Sequence, residues 1–161
     1  MDDFRLQLSL LDGRVGLMGI GNIEQGDDGF GVRLAEQLSR DGLPNVILAG
    51  TEPELFLGRC AGGGLNHLVF LDAVEFGGAP GSVVFLDSGQ IQAKFAQIST
   101  HKLSLGLLAK CVEAGGSTRA WLLGAQPETL HHSSLLSPIM HRTVSILAEL
   151  IGAQIGGEAA V

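Results

Sequence analysis

The strand–turn–helix unit that decides the fold is residues 15–40, with the sequence VGLMGIGNIEQGDDGFGVRLAEQLSR. Its first four residues form an apolar run that stops at a glycine-containing turn, which predicts a β-strand followed by a turn. Residues 28–40 then carry an apolar residue at every fourth position on a polar background (Phe30, Leu34 and Leu38), which predicts an amphipathic helix. The acidic pair Asp27 and Asp28 stands where it can cap that helix and complement its dipole.

The same alternation of elements continues along the chain. Apolar runs predict four further strands, at residues 46–48, 68–71, 83–86 and 120–123. Helices are predicted at residues 53–60, at residues 101–113 with Leu103, Leu107 and Cys111 on one face, and from the Ser137-Pro138 pair onward with Met140, Val144, Leu147 and Ile151 facing inward.

One connection departs from this alternation of strands and helices. Residues 72–82 are too few for a parallel crossover, which needs a dozen or more residues, so the strands on either side are predicted to form an antiparallel hairpin. The sequence therefore predicts an α/β fold: a three-layer α/β/α sandwich around a five-stranded, mostly parallel sheet with one antiparallel strand. We expect one domain over residues 1–161, with ligands beyond the carboxyl ends of the strands.

Composition excludes several classes of protein. The net charge is −7, from 10 Lys and Arg against 17 Asp and Glu, so neither nucleic acid nor an anionic membrane is an expected partner. No secretory leader or stretch long enough to span a membrane is recognisable. The unpaired spacing of Cys60 and Cys111 is typical of a reduced, cytoplasmic protein, with a single disulfide as the minor alternative.

The turn after the first predicted strand is open to two interpretations. Gly19 and Gly21 resemble the opening of a dinucleotide fingerprint, but Glu24 stands where the third glycine should be and would repel a pyrophosphate. A tight turn that uses glycine for steric room is the simpler interpretation. A nucleotide- or flavin-binding domain remains the weaker alternative.

Three acidic or imidazole side chains form a more specific candidate site. One carboxylate comes from the first loop, where Glu24, Asp27 and Asp28 lie close together; Asp72 directly follows the third apolar run, and His101 precedes a predicted helix. Each alone has an ordinary explanation as a cap, a turn or a surface residue, but together they offer two carboxylates and one imidazole. Such a set suits zinc, nickel, manganese or iron and leaves coordination positions open for a substrate or water. No Gly-x-Ser-x-Gly elbow and no His-Glu-x-x-His motif is present.

Seven motifs in order resemble the hydrogenase maturation endopeptidases, which process the large subunit of nickel–iron hydrogenases. They are Gly19-Ile20-Gly21-Asn22, Asp27-Asp28-Gly29-Phe30-Gly31, Ala49-Gly50-Thr51-Glu52-Pro53-Glu54, Leu71-Asp72-Ala73-Val74, Ala79-Pro80-Gly81, Ser99-Thr100-His101-Lys102-Leu103 and Leu123-Gly124-Ala125-Gln126-Pro127. The third and sixth motifs are most similar to the branch that serves formate-hydrogenlyase-type hydrogenases.

The resemblance implies an endopeptidase that removes a C-terminal extension from the nickel-loaded precursor of a hydrogenase large subunit. It implies that Asp28, Asp72 and His101 contact a nickel ion that arrives with the substrate, so that the free protein need not hold a metal. The loops around Gly21, Asn22, Gly50 and Thr51 are expected to meet the substrate. Metal-assisted hydrolysis and a carboxylate acting as general base both remain open, and a nickel- or precursor-binding chaperone that does not cut is the alternative function.

Two departures from the family pattern concern this site. Asp28 stands where some relatives have glutamate, and Gly50 stands alone where many have two glycines. We expect the first to shift the metal slightly and the second to affect substrate preference.

Overall fold

A computed structural model describes residues 2–95 and 104–157 of the chain, apart from the side chains of residues 61 and 62. The strands are β1 (Val15–Ile20), β2 (Val46–Gly50), β3 (His67–Ala73), β4 (Val83–Asp87) and β5 (Arg119–Ala125). The helices are α1 (Asp2–Leu8), α2 (Phe30–Arg40), α3 (Leu57–Gly62), α4 (Ser88–Phe95), α5 (Leu105–Glu113) and α6 (Pro138–Ile155), with 3-10 turns at Gly26–Gly29 and Pro53–Phe56.

The strands form one sheet in the order β2-β1-β3-β5-β4, in which only β4 runs against its neighbour. The predicted mostly parallel sheet with one reversed strand is therefore confirmed. The predicted hairpin is wrong, because β4 pairs with β5 and not with β3. The short connection steps over the position that β5 later fills, a distance of about 10 Å at the usual strand spacing.

Two apolar cores, one on each face of the sheet, make the three layers. On one face, α1, α2 and α6 cover alternate strand residues such as Leu17 and Leu71. On the other face, α3, α4 and α5 cover the intervening residues, among them Met18 and Phe70. The central strands β1, β3 and β5 are thus buried on both faces along almost their whole length, which explains their largely apolar sequences, whereas the edge strands β2 and β4 are only partly buried.

The observed helices correct the sequence prediction in two places. α5 turns Leu105, Leu108 and Val112 inward, and the face that carries Leu107 and Cys111 is exposed. The helix was predicted from residue 101, whereas α5 begins after its N-cap at Ser104; residues 101–103 lie outside the described residues. The sequence prediction also lacked α1 and α4, which are short and weakly periodic.

The start of α6 is as predicted. Ser137 is its N-cap and accepts a hydrogen bond from the Met140 backbone N–H, with Pro138 at the first helical position. Among the described residues, no helix is long and apolar enough to cross a membrane.

Glycine allows α2 to approach the sheet closely. A Cβ at Gly31 would overlap the carbonyl oxygen of Leu71 in β3, and one at Gly19 would lie 2.6 Å from the carbonyl oxygen of Gly31. The start of α2 therefore lies directly on the carboxyl ends of β1 and β3. This approach brings the loop before α2 to the end of β3.

Candidate active site

The carboxyl edge of the sheet is built from loops that follow adjacent strands. β1 leads into residues 21–29, β2 into residues 51–56, and β5 into residues 126–137. Since β1, β2 and β3 are neighbours, their carboxyl ends meet at one place, as expected for the ligand site of an open α/β sheet.

Asp28 lies in the 3-10 turn that precedes α2 and is half-buried. Its Oδ2 accepts a hydrogen bond of 2.8 Å from the backbone N–H of Asn22. The chain crosses itself closely here, because Gly21 has a φ of 133° and a Cβ at Gly21 would overlap the Asp28 carbonyl oxygen. The glycine is thus required by the turn that holds Asp28.

Asp72 is the sixth residue of β3 and is only 2% exposed. It lies in register with Gly124 of β5, in the middle of the sheet. The 3-10 turn that carries Asp28 packs against β3. Two of the three predicted site residues are therefore delivered to the same edge by neighbouring strands.

Asp27 has a different role from the predicted helix cap. The N-cap of α2 is Gly29, with no side-chain capping bond, and the Asp27 side chain is fully buried and directed at the loop after β5. Its carboxylate accepts hydrogen bonds from the backbone N–H groups of Glu128, Thr129 and Ser137 and from the Ser137 hydroxyl. Asp27 is therefore buried beneath the edge and offers no carboxylate to its surface.

His101, the third predicted site residue, lies outside the described residues. Within residues 2–95 and 104–157, no three His, Cys, Asp or Glu side chains come together in a way that could hold a metal ion. Of the other histidines, His67 is buried at the start of β3, at the opposite end of the sheet. His131 and His132 are exposed in the loop 126–137 at this edge, and His141 is exposed on α6.

The loop after β2 forms another side of this edge. Gly50 has a φ of 62° with open space around its Cα, and its carbonyl accepts a 2.9 Å hydrogen bond from the Gly21 N–H. Thr51 and Glu52 are exposed. Glu54 Oε2 is shielded from solvent and finds no hydrogen-bond partner among the described residues. In this loop, Thr51 and Glu52 thus leave polar groups available to a bound molecule.

The comparison with known proteins decides the family. The sequence model of HycI, hydrogenase maturation protease, matches residues 32–154. The chain belongs to the hydrogenase maturation protease family. It is therefore a peptidase, and its resemblance to this family, inferred above from the seven motifs, is confirmed.

Individual relatives agree with this assignment. The chain is 30% identical over 146 residues to the hydrogenase 2 maturation protease of Escherichia coli K12. The alignment covers 86% of this chain and 88% of that protein. The crystal structure of the nickel–iron hydrogenase maturation protease HycI from Thermococcus kodakarensis superposes with a TM-score of 0.82 at 30% identity, covering 94% of this chain and 99% of that one. The hydrogenase maturating endopeptidase HybD of E. coli superposes with a TM-score of 0.75 at 30% identity, covering 91% and 94%.

Sequence reasoning did not find the link between Asp27 and the loop 126–137. The resemblance to the family indicated no role for that loop. The donors to Asp27 lie 101 to 110 residues away along the chain. The available signal was the second aspartate of the Asp27-Asp28 pair, since only one of the two could be a helix cap.

Proposed function

We propose that this maturation protease removes the C-terminal extension from the nickel-loaded precursor of a nickel–iron hydrogenase large subunit, in the cytoplasm. The observation that carries the proposal is the delivery of Asp28 and Asp72 to one edge of the sheet by neighbouring strands, in a chain of this family. The crystallised relative from T. kodakarensis is a nickel–iron hydrogenase maturation protease, which supports the same substrate class here.

In this proposal, Asp28, Asp72 and His101 contact the nickel ion that the precursor carries. Two carboxylates and an imidazole suit a divalent ion of this kind, and a cation offsets the repulsion between carboxylates held at one site. The contact fixes the scissile peptide bond beside the ion, so that proximity and orientation lower the barrier to hydrolysis. One of the two carboxylates is then placed to accept a proton from the attacking water.

The neighbouring loops receive the peptide in this proposal. The open backbone at Gly50 and the exposed Thr51 lie beside the strand that ends at the site. Gly21 and Asn22 contribute less directly, because the Gly21 N–H is bonded to Gly50 and the Asn22 N–H to Asp28. Their role is to shape the wall that the peptide meets.

The test is the intact mass of a purified precursor, with and without nickel, after incubation with the protein. We expect loss of the C-terminal peptide from the nickel-loaded form only. Asp28→Asn, Asp72→Asn and His101→Ala should each reduce the cleavage rate roughly 10²-fold or more. His141→Ala, which changes an exposed residue of α6, is the matched control and should cleave normally.

Two results would contradict the proposal. Equal cleavage of the nickel-free precursor, or normal cleavage by the His101→Ala variant, would exclude nickel-guided recognition through this set. A stable complex with a precursor of unchanged mass would instead favour the non-cutting chaperone.

A further inference from the structure

We infer that Asp27 is a positioning residue for the reaction: its buried carboxylate locks the loop 126–137 onto the loop 21–29 and thereby holds Asp28 in place. The inference rests on the proposed function for Asp28. It concerns a group that does not face the substrate edge and that the proposed chemistry does not use.

The first argument is the cost of burying Asp27. The residue is 0% exposed, and a carboxylate in such a place is tolerated only when its oxygens are well bonded. Four donors converge on it: Oδ2 accepts from Glu128 N at 2.9 Å, Thr129 N at 3.1 Å and the Ser137 hydroxyl at 2.8 Å, and Oδ1 accepts from Ser137 N at 2.7 Å. Hydrogen bonds to an ionised acceptor are roughly twice as strong as neutral ones, so this group fixes the position of both loops.

The second argument is that backbone bonds continue the same junction. Asp27 N donates to Thr129 O at 3.0 Å, Gly26 N to Ser133 O at 2.9 Å and Ser133 N to Glu24 O at 3.0 Å. Gln25 and Ser133 form a parallel bridge. The two loops therefore behave as one unit, which we call the clamped loop pair (residues 21–29 and 126–137).

The third argument links this unit to Asp28. Asp28 follows Asp27 directly in the same 3-10 turn, and its side chain is tethered within the loop by the hydrogen bond of 2.8 Å from the Asn22 N–H. Since Asn22 and Asp28 both lie in the loop that Asp27 anchors, a shift of Asp27 moves the Asp28 carboxylate as well. A displacement of about 1 Å at a catalytic site can reduce the rate by roughly 10²-fold.

Asp27→Asn is the sharpest test, because it keeps the shape of the side chain. An asparagine can direct its oxygen to the three donors at Oδ2, but its NH2 group then faces the Ser137 N–H, and two donors oppose each other. Thr118→Ala is the matched control. It removes a buried hydrogen bond of 2.7 Å to Leu65 O, next to β5 at the far end of the sheet, and so lowers stability without touching the clamped loop pair.

Two readouts are needed. The first is hydrogen exchange of the Asn22 amide, which reports the bond to Asp28 and does not depend on activity; the second is kcat and KM for the nickel-loaded precursor. For Asp27→Asn we expect Asn22 to lose protection relative to the amides of β3, and kcat to fall roughly 10²-fold. For Thr118→Ala we expect protection at Asn22 to follow that of β3 and kcat to stay within about twofold of the wild type.

The inference is overturned if Asp27→Asn keeps both the Asn22 protection and kcat, or if Thr118→Ala loses kcat to the same extent at equal stability. Failure of the wild-type protein to cleave would count against the proposed function alone. In that case the hydrogen exchange of the Asn22 amide still shows whether Asp27 holds the loop 21–29 in place.

Discussion

Asp27 and Ser137 are joined by two hydrogen bonds across 110 residues of chain: the Ser137 N–H donates to Oδ1 at 2.7 Å and its hydroxyl to Oδ2 at 2.8 Å. The same hydroxyl accepts from Met140 N at the start of α6. One serine thus begins a helix and holds the loop that leads to the candidate site.

Removing the neighbouring aspartates Asp27 and Asp28 should destabilise the protein to different extents. Asp27→Ala leaves several buried donors without an acceptor and should lower the free energy of unfolding by about 3 kcal/mol or more. Asp28→Ala loses one half-buried hydrogen bond and should cost about 1 kcal/mol, while cleavage is abolished. Urea unfolding followed by the fluorescence of Trp121 measures the difference, and equal destabilisation by the two substitutions would contradict it.

Two glycine-to-alanine substitutions should change the stability of the protein in opposite directions. Gly31→Ala places a Cβ against the carbonyl oxygens of Leu71 and Ile20 and should destabilise the fold by about 3 kcal/mol. Gly152→Ala lies in α6 with open space at the new Cβ and should stabilise it by about 0.5–1 kcal/mol. Thermal unfolding of both variants is the measurement. A stable Gly31→Ala protein would mean that α2 does not lie as close to β3 as described.

The two cysteines should react at different rates. Burial raises the pKa of the Cys60 thiol above its usual value, so that less thiolate is present near neutral pH, whereas Cys111 is exposed on α5. Iodoacetamide should therefore modify Cys111 first in the folded protein, and the Cys111→Ser variant should remain unmodified until it unfolds. Mass spectrometry of the labelled peptides shows which cysteine reacts first. Fast labelling of Cys60 would contradict its position in the core.

Asp12 should make a small contribution to stability that depends on pH. The hydrogen bond from the His67 ring lowers the pKa of Asp12 below its usual value of 3.8, and a backbone hydrogen bond acts in the same direction. A carboxyl whose pKa is lowered by folding stabilises the protein above its unfolded pKa and loses that contribution as the pH falls through the folded value. Asp12→Asn should therefore be slightly less stable than the wild type at pH 7, and the gap should narrow as the pH falls below 3.8. Because Asp12 is exposed, urea midpoints measured at low salt are needed; a gap that widens on acidification would contradict the assignment.

Local pattern was sufficient for much of this fold. Apolar runs predicted all five strands, four-residue spacing predicted α2 and the inward face of α6, and the Ser137-Pro138 pair predicted the start of α6. These features depend on residues that are close together in the sequence, so they can be recognised without knowledge of the tertiary structure. For the same reason Asp28 and Asp72 could be placed at the carboxyl edge, since Asp28 lies in the loop after β1 and Asp72 lies near the end of β3.

Long-range packing decided the rest. The antiparallel direction of β4 follows from a short connection, but its place beside β5 depends on a strand that comes more than thirty positions later. The buried face of α5 could not be recognised from its sequence, because the helix carries apolar residues on more than one side and only packing against the sheet and α4 selects Leu105, Leu108 and Val112. Asp27 shows the difference most clearly: its sequence position beside Asp28 indicated a helix cap or a ligand, and only the folded chain brings to it the four donors of residues 128–137 that make it a buried anchor.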